Sequence, residues 1–380
     1  MNSVALEQTE KWIKEKLIPL SESGQSFDVG KEMISITLDA ICKTAFEYDI
    51  SDKEKLLFVS NCELVFREFL TKSFNNPFRK YIGSWIPDRK RALQAASDNT
   101  ILAKRIIEQY RKNPNPLEGT IIDHLCKNPC YANDDELAAD VLLYLIAGHD
   151  VSLPCICSTT KRIRNVVLFS SQLTNKSTNS HTFFCVFSTL VLTTKTYIIQ
   201  TTAYTLAFTL LQLSRNPEEQ NKVRNDIANM TTAVEWRKSD VLQRSIKESM
   251  RLYPVSSSGS SRVCGRDFIT KEGWMIPKGT TVVSHIMMTH RNKNVYGDDA
   301  DAYIPSRWIN PTQAQKDSFL IYSAGKQNCV GQALANAELQ CIIPKILSEV
   351  ELEVVDEGRI TWFLTLKPIG ATLRAKRVIR

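Results

Sequence analysis

Cys329 is the residue with the clearest chemistry in this chain. It lies in Tyr322-Ser323-Ala324-Gly325-Lys326-Gln327-Asn328-Cys329-Val330-Gly331, and the residues that follow, QALANAEL, read as the start of a helix. A thiolate at a helix N-terminus is favoured by the free N–H groups and the positive end of the helix dipole. Gly325 permits a tight turn close to a flat ligand, and Gly331 permits the helix start to pack against it. Such a loop suits a sulfur donor to haem iron, with backbone amides moderating its charge. A buried free cysteine beside a helix cap is the competing reading, and this stretch alone leaves both open.

Few other metal or redox constellations present themselves. The ten cysteines show no paired spacing, and the five histidines are scattered without a HExxH pair. Cys126 with Cys130, and Cys155 with Cys157, lack the second pair that a zinc site needs. Reduced thiols facing a cytosol are expected. Glu248 and Arg251, three apart in Ser245-Ile246-Lys247-Glu248-Ser249-Met250-Arg251-Leu252-Tyr253-Pro254, can pair on one helix face.

The elements that must position these residues are mostly helices. Residues 1 to about 112 carry apolar positions at three- and four-residue spacing, as in Ile34, Leu38, Ile41 and in Leu102, Ile106, Tyr110. The first seventeen residues read as an amphipathic helix, neither a signal peptide nor a membrane anchor. Breakers fall at Asn76-Pro77 and Ile86-Pro87, and Asn113-Pro114-Asn115-Pro116 is a loop. Asn133 and Asp134 cap a helix with Leu137, Val141 and Leu145 on one stripe. Short strands are expected over residues 274–279 and 280–283, and two more around Leu352–Val355 and Leu364–Leu366.

Together these motifs resemble the cytochrome P450 haem-thiolate monooxygenases, whose cysteine signature reads F-x-x-G-x-R-x-C-x-G. Tyr322 stands for the phenylalanine and Gln327 for the arginine; Gly325, Cys329 and Gly331 match. Joined across residues 151–200, the text AGHD-TTAYTLAF is similar to the family's oxygen-activating helix, [AG]-G-x-[DE]-T-[TS]. Ala147, Gly148, Asp150, Thr201 and Thr202 fall on it position for position. Small residues there let the helix bulge against the haem face, and Asp150 with Thr201 relays protons to the oxygen under activation. Glu248 and Arg251, with Arg307 in Tyr303-Ile304-Pro305-Ser306-Arg307-Trp308, resemble the family's structural triad. Arg262 matches a position where members often place a haem-propionate arginine; a solvated surface arginine remains the alternative.

The resemblance implies a mainly α fold with small β-sheets, covering residues 1–150 and 201–380. It also implies haem b as cofactor, with Cys329 as the metal ligand and Tyr322, Gly325, Gln327, Gly331, Arg262, Ala147 and Gly148 around it. The partners implied are an apolar small-molecule substrate and an NADPH-dependent flavoprotein reductase, docking near Lys326. The parent family works at the cytosolic face of the endoplasmic reticulum membrane. Against the family pattern, the chain is expected to lack the anchor, the small β-domain and the first helices. With the family's Trp- and Arg-bearing propionate helix expected to be missing and Gln327 replacing the loop arginine, up to two propionate contacts are lost, each worth roughly 1.5–3 kcal/mol.

Residues 151–200 break the pattern. They hold sixteen Ser or Thr, five Lys or Arg, and no Gly, Ala, Asp or Glu. Most of the net charge of +7 comes from them, since basic and acidic residues elsewhere differ by two. No basic run is interleaved with aromatics, so nucleic acid is not an expected partner. Lys195 and six Ser or Thr within residues 181–199 argue against a membrane span. Val151-Ser152 can be encoded GTAAGT and Gln200 CAG, a splice donor and acceptor, and fifty codons keep the reading frame. The segment therefore reads as a translated intron, without a settled fold, separating residues 1–150 from 201–380. A Ser/Thr-rich surface insertion fits poorly between two halves of a buried helix.

The function expected is insertion of one oxygen atom from O2 into an apolar substrate, with the inserted segment expected to leave this chain inactive as written. Two alternatives stand beside it: an O2-independent haem-thiolate rearrangement of peroxides, and a non-catalytic helical protein without haem.

Overall fold

The computed structural model describes residues 2–72, 76, 79, 85–114, 119–147, 198–259, 261–325, 328–329, 331–362 and 365–378. Two compact units emerge, residues 37–199 with Met1 in one and residues 2–36 with 200–380 in the other.

The chain opens with α1 (Asn2–Trp12), a π-helical turn at Ile13–Leu17, and α2 (Ile18–Ser23), which ends on Gly24 at φ 69°. Strand β1 (Ser26–Asp28) follows, then α3 (Val29–Phe46). The spacing of apolar residues over 1–112 predicts helices alone. Ser26-Phe27-Asp28 carries no alternating pattern of useful length, and it is a strand because residues 372–374 offer it a ladder. Trp12 closes this corner: its ring meets Phe27 edge-on at 5.8 Å, and its indole N–H donates to Glu32 Oε2 at 2.7 Å.

In the unit of residues 37–199, α4 (Asp52–Phe66) starts on a capping box. Ser51 Oγ accepts from the Glu54 N–H, and the Glu54 carboxylate accepts from the Ser51 N–H. The long α5 (Pro87–Lys112) has proline at its first position, so Ile86-Pro87 begins a helix as well as ending the preceding segment. Its stripe of Ala92, Ala95, Leu102, Ala103, Ile106, Ile107 and Tyr110 is buried, and α4 and α7 pack on it. Helices α6 (Ile121–Lys127) and α7 (Asp134–Ala147) follow among the described residues. Asn133 Oδ1 accepts from the N–H groups of Asp135 and Glu136, as an N-cap should, and Leu137, Val141 and Leu145 are buried.

In the other unit, α8 (Ile198–Arg215) is the central helix. Ala203, Leu206, Ala207, Phe208, Leu210, Leu211 and Leu213 are buried on every side of it. Its buried hydroxyls bond back along the helix: Thr205 to the Thr201 carbonyl, Thr209 to Thr205 and Ser214 to Leu210, each at 2.7 Å. The helix opens at Ile198, three residues inside the anomalous segment, and stops before Asn216-Pro217 as expected. The rest of that segment, residues 151–197, lies outside the described residues.

Helices α9 (Pro217–Ile227) and α10 (Asp240–Leu252) lead to two short antiparallel ribbons, β2 (Ser261–Val263) with β5 (Thr281–Val283), and β3 (Phe268–Ile269) with β4 (Met275–Ile276). After α11 (Gln332–Glu349) come four strands where two were expected: β6 (Val350–Asp356), β7 (Arg359–Trp362), β8 (Leu366–Ile369) and β9 (Thr372–Arg377). Their turns at Gly358 and Gly370 have φ of 61° and 73°. The largest sheet runs β1-β9-β6, and β7 pairs with β8. Gln220 joins α9 to it, donating to the Leu352 carbonyl at 3.0 Å and accepting from the Leu352 N–H at 2.8 Å. The architecture is mainly α with small sheets, as the sequence motifs imply. Among the described residues no helix is long and apolar enough to cross a membrane.

Candidate functional site

Glu248 is the most heavily bonded carboxylate of the site. It sits on the inner face of α10, fully buried beside the equally buried Arg251. Arg251 Nε donates to Glu248 Oε2 at 2.9 Å and Nη2 to Oε1 at 2.8 Å, a two-pronged pair. The remaining guanidinium hydrogens go to the carbonyls of His290, Ala300 and Ala302 at 2.9, 2.5 and 3.0 Å. Arg307, in the helical turn Pro305–Trp308, donates from Nε to Glu248 Oε1 at 3.4 Å and from Nη1 to the Tyr296 carbonyl at 2.8 Å. It also pairs with Asp299 at 3.0 Å.

So the three residues assigned to a triad do meet. Two further donors, absent from the sequence reading, finish the carboxylate: Trp308 Nε1 reaches Oε2 at 2.9 Å and the Ile304 N–H reaches Oε1 at 3.1 Å. An adjacent indole was the available signal for Trp308. Nothing in the sequence marked the backbone of Ile304. The usual acidic residue before the arginine is replaced by Ser306, and Asp299 supplies a carboxylate to Arg307 from elsewhere.

This network anchors the segment that leads toward Cys329. Phe319 packs against Trp308 at 5.1 Å and stacks on His290 at 5.3 Å. The Leu320 N–H donates to His290 Nε2 at 3.0 Å. Burial, and then the Arg251 charge, drive the His290 pKa down to about 4, so the ring is a neutral acceptor.

Tyr322, Ser323, Gly325, Cys329 and Gly331 then form the loop. Tyr322 Oη donates to Asn336 Oδ1 on α11 at 2.7 Å, and the Cys329 N–H donates to the Tyr322 carbonyl at 2.7 Å, closing the loop on itself. Gly325 has φ 77° with open space where a Cβ would sit, so conformation and not crowding calls for glycine there. Ser323 is also left-handed, at φ 62°, an uncommon state for serine. Gly331 has an ordinary φ of −79° and caps α11.

Cys329 is a free, half-buried thiol. Burial pushes its pKa up and the Gly331 N–H pulls it down. Burial outweighs that N–H, and a bound metal cation would favour the thiolate. A sulfur with one backbone N–H directed at it, at a helix mouth, does fit a thiolate-ligated haem.

Thr201 is half-buried near the start of α8, and Thr202 beside it is buried. Arg262 is exposed on β2, where its Nη1 donates only to the neighbouring Ser261 carbonyl at 3.2 Å. Ala147 is the last residue of α7. Gly148, Asp150, Lys326 and Gln327 lie outside the described residues.

A mainly helical fold with a cysteine loop at a helix mouth, braced by a buried Glu-Arg-Arg network, defines a class of haem-thiolate scaffold. Residues 198–377 match the family profile described as Cytochrome P450. Human cytochrome P450 4F12 is 34% identical over 196 residues, covering 46% of this chain and 37% of that protein. The putative cytochrome P450 cyp-13B1 of Caenorhabditis elegans is 29% identical over 185 residues, covering 46% and 36%. A crystal structure of a cytochrome P450 (CYP102L1) superposes with TM-score 0.74 at 18% identity, over 99% of this chain and 77% of that one, and so shares the fold. The chain carries the cytochrome P450 profile over residues 198–377, just under half of its length, and shares the fold. It spans 36% and 37% of the length of these two curated relatives.

Proposed function

We propose that the chain derives from a haem-thiolate monooxygenase that inserts one oxygen atom from O2 into an apolar organic substrate, with electrons from an NADPH-dependent flavoprotein reductase. One observation carries the reading: the loop holding Cys329 is tied to α11 through Tyr322 and Asn336, and follows directly on the Glu248 network. Haem b, when bound, supplies the activation of O2. Cys329 would hold it through sulfur, and the Gly331 N–H would moderate the charge on that sulfur. Tyr322, Gly325, Gln327 and Gly331 shape the loop around it, and Arg262 would reach a propionate. Ala147 and Gly148 would leave room above the haem face, while Asp150 and Thr201 pass protons, carboxyl to hydroxyl. Glu248, Arg251 and Arg307 act on structure alone. In the parent enzyme this work takes place at the endoplasmic reticulum membrane.

The relay requires Asp150 and Thr201 to be close neighbours, and fifty residues separate them in the chain. Residues 151–200 are proposed to be a retained intron, so that the chain as written does not turn over. The test of the haem assignment is the spectrum of the reduced protein with CO. A red-shifted Soret band that vanishes in Cys329→Ser is expected, and an unchanged band in that variant would remove Cys329 as ligand.

A further inference from the structure

A pocket of about 350 Å³ lies between α10, α11 and the segment before the cysteine loop, at the small end of the roughly 300–1,000 Å³ range of small-molecule sites. Ile246, Met250, Ile321 and Leu339 give it an apolar wall, and Gln340 adds amide donors. Its charged group is Lys247, half-buried on α10. Nothing acidic lines the pocket, and among the described residues Lys247 has no carboxylate partner. Its ammonium instead rests against rings, 4.2 Å from the centroid of Trp308 and 5.1 Å from that of Phe319.

A half-buried ammonium held only by aromatic quadrupoles is incompletely compensated. Burial and the neighbouring Lys316 both pull the Lys247 pKa down, the mark of a cation short of negative charge. Lys345, in the same unit, ends by contrast on Glu349 at 3.2 Å. We propose that this pocket binds a small organic carboxylate with an apolar body, its carboxylate on Lys247 and its body against Met250 and Leu339. Neither half of such a ligand would suffice: a bare inorganic anion leaves the apolar wall wet, and a neutral hydrocarbon leaves the ammonium unpaired. Binding here requires no haem, so it stands or falls separately from the role of Cys329.

The full-length chain titrated calorimetrically with 4-phenylbutyrate, 4-phenylbutanol and 4-phenylbutylamine tests this. The carboxylate is expected to bind at one site, with the alcohol and the amine weaker by about tenfold or more. Lys247→Met should weaken the carboxylate by a similar factor. Should that variant fail to fold, Gln340→Glu supplies a competing carboxylate within the same pocket and should do likewise. Acylation of Lys247 followed by mass spectrometry should slow when 4-phenylbutyrate is present. Equal binding of all three probes, no binding of the carboxylate, or a Lys247 acylation rate that ignores it would overturn the proposal. An acidic protein surface as the natural occupant would appear as the second of these outcomes.

Discussion

Trp308 donates its indole N–H to Glu248 Oε2 at 2.9 Å, on the same oxygen that receives Arg251 Nε. The carboxylate is thereby bonded by two guanidinium groups, an indole and a backbone amide, in a place with no exposure to water. Deleting one donor leaves part of a buried charge unsatisfied, at roughly 1–3 kcal/mol. Trp308→Phe keeps most of the ring and loses the N–H, so it should lower unfolding stability by that amount in urea. A loss indistinguishable from zero would mean the bond is not made in solution.

Glu248→Ala is the harsher case. It strands Arg251, which retains three carbonyls but no counter-charge, and Arg307, which retains Asp299. Removing one partner of a buried pair costs roughly 3–5 kcal/mol, so the variant should be largely insoluble or molten. Glu248→Gln keeps the shape and should fall between it and the wild type. Wild-type melting behaviour in soluble Glu248→Ala would contradict the role.

His290 sets an acid limit on the same region. Its folded pKa of about 4 lies below the ordinary histidine value of 6.5, so the unfolded chain takes up a proton first as pH falls. The stabilisation is complete above pH 6.5 and is lost on descending toward pH 4, by about 3 kcal/mol in all. His290→Phe preserves the stack with Phe319 but removes the titration. Stability measured from pH 7 to pH 4 should therefore fall less steeply in the variant than in the wild type. Parallel curves would show that the histidine does not titrate on unfolding.

The retained-intron proposal is tested in RNA. Reads across codons 150 to 201 should come mostly from messages that join Asp150 directly to Thr201. A mature message that mostly keeps all fifty codons, encoding a protein that binds haem, would sink the idea.

Much of this site was legible in residue order, because its key geometry is local. Glu248 and Arg251 are three apart on one helix, so pairing follows from the helical period. Cys329 and Gly331 must sit together at the mouth of α11 because a loop of that length has nowhere else to go. The stripe of α5, the cap at Asn133 and the stop at Asn216-Pro217 are likewise matters of spacing and of local hydrogen bonding. What joined distant parts was decided only in three dimensions. β1 is a strand because β9 lies beside it, some 350 residues later. Asp299 takes the place of the missing acid before Arg307, and Trp308 and Ile304 complete Glu248, because residues 299–308 fold over α10. At Cys329, burial raises the thiol pKa while the Gly331 N–H lowers it. A helix terminus is a short-range property that the sequence reveals, whereas desolvation depends on everything packed around the sulfur, and only the tertiary structure determines that.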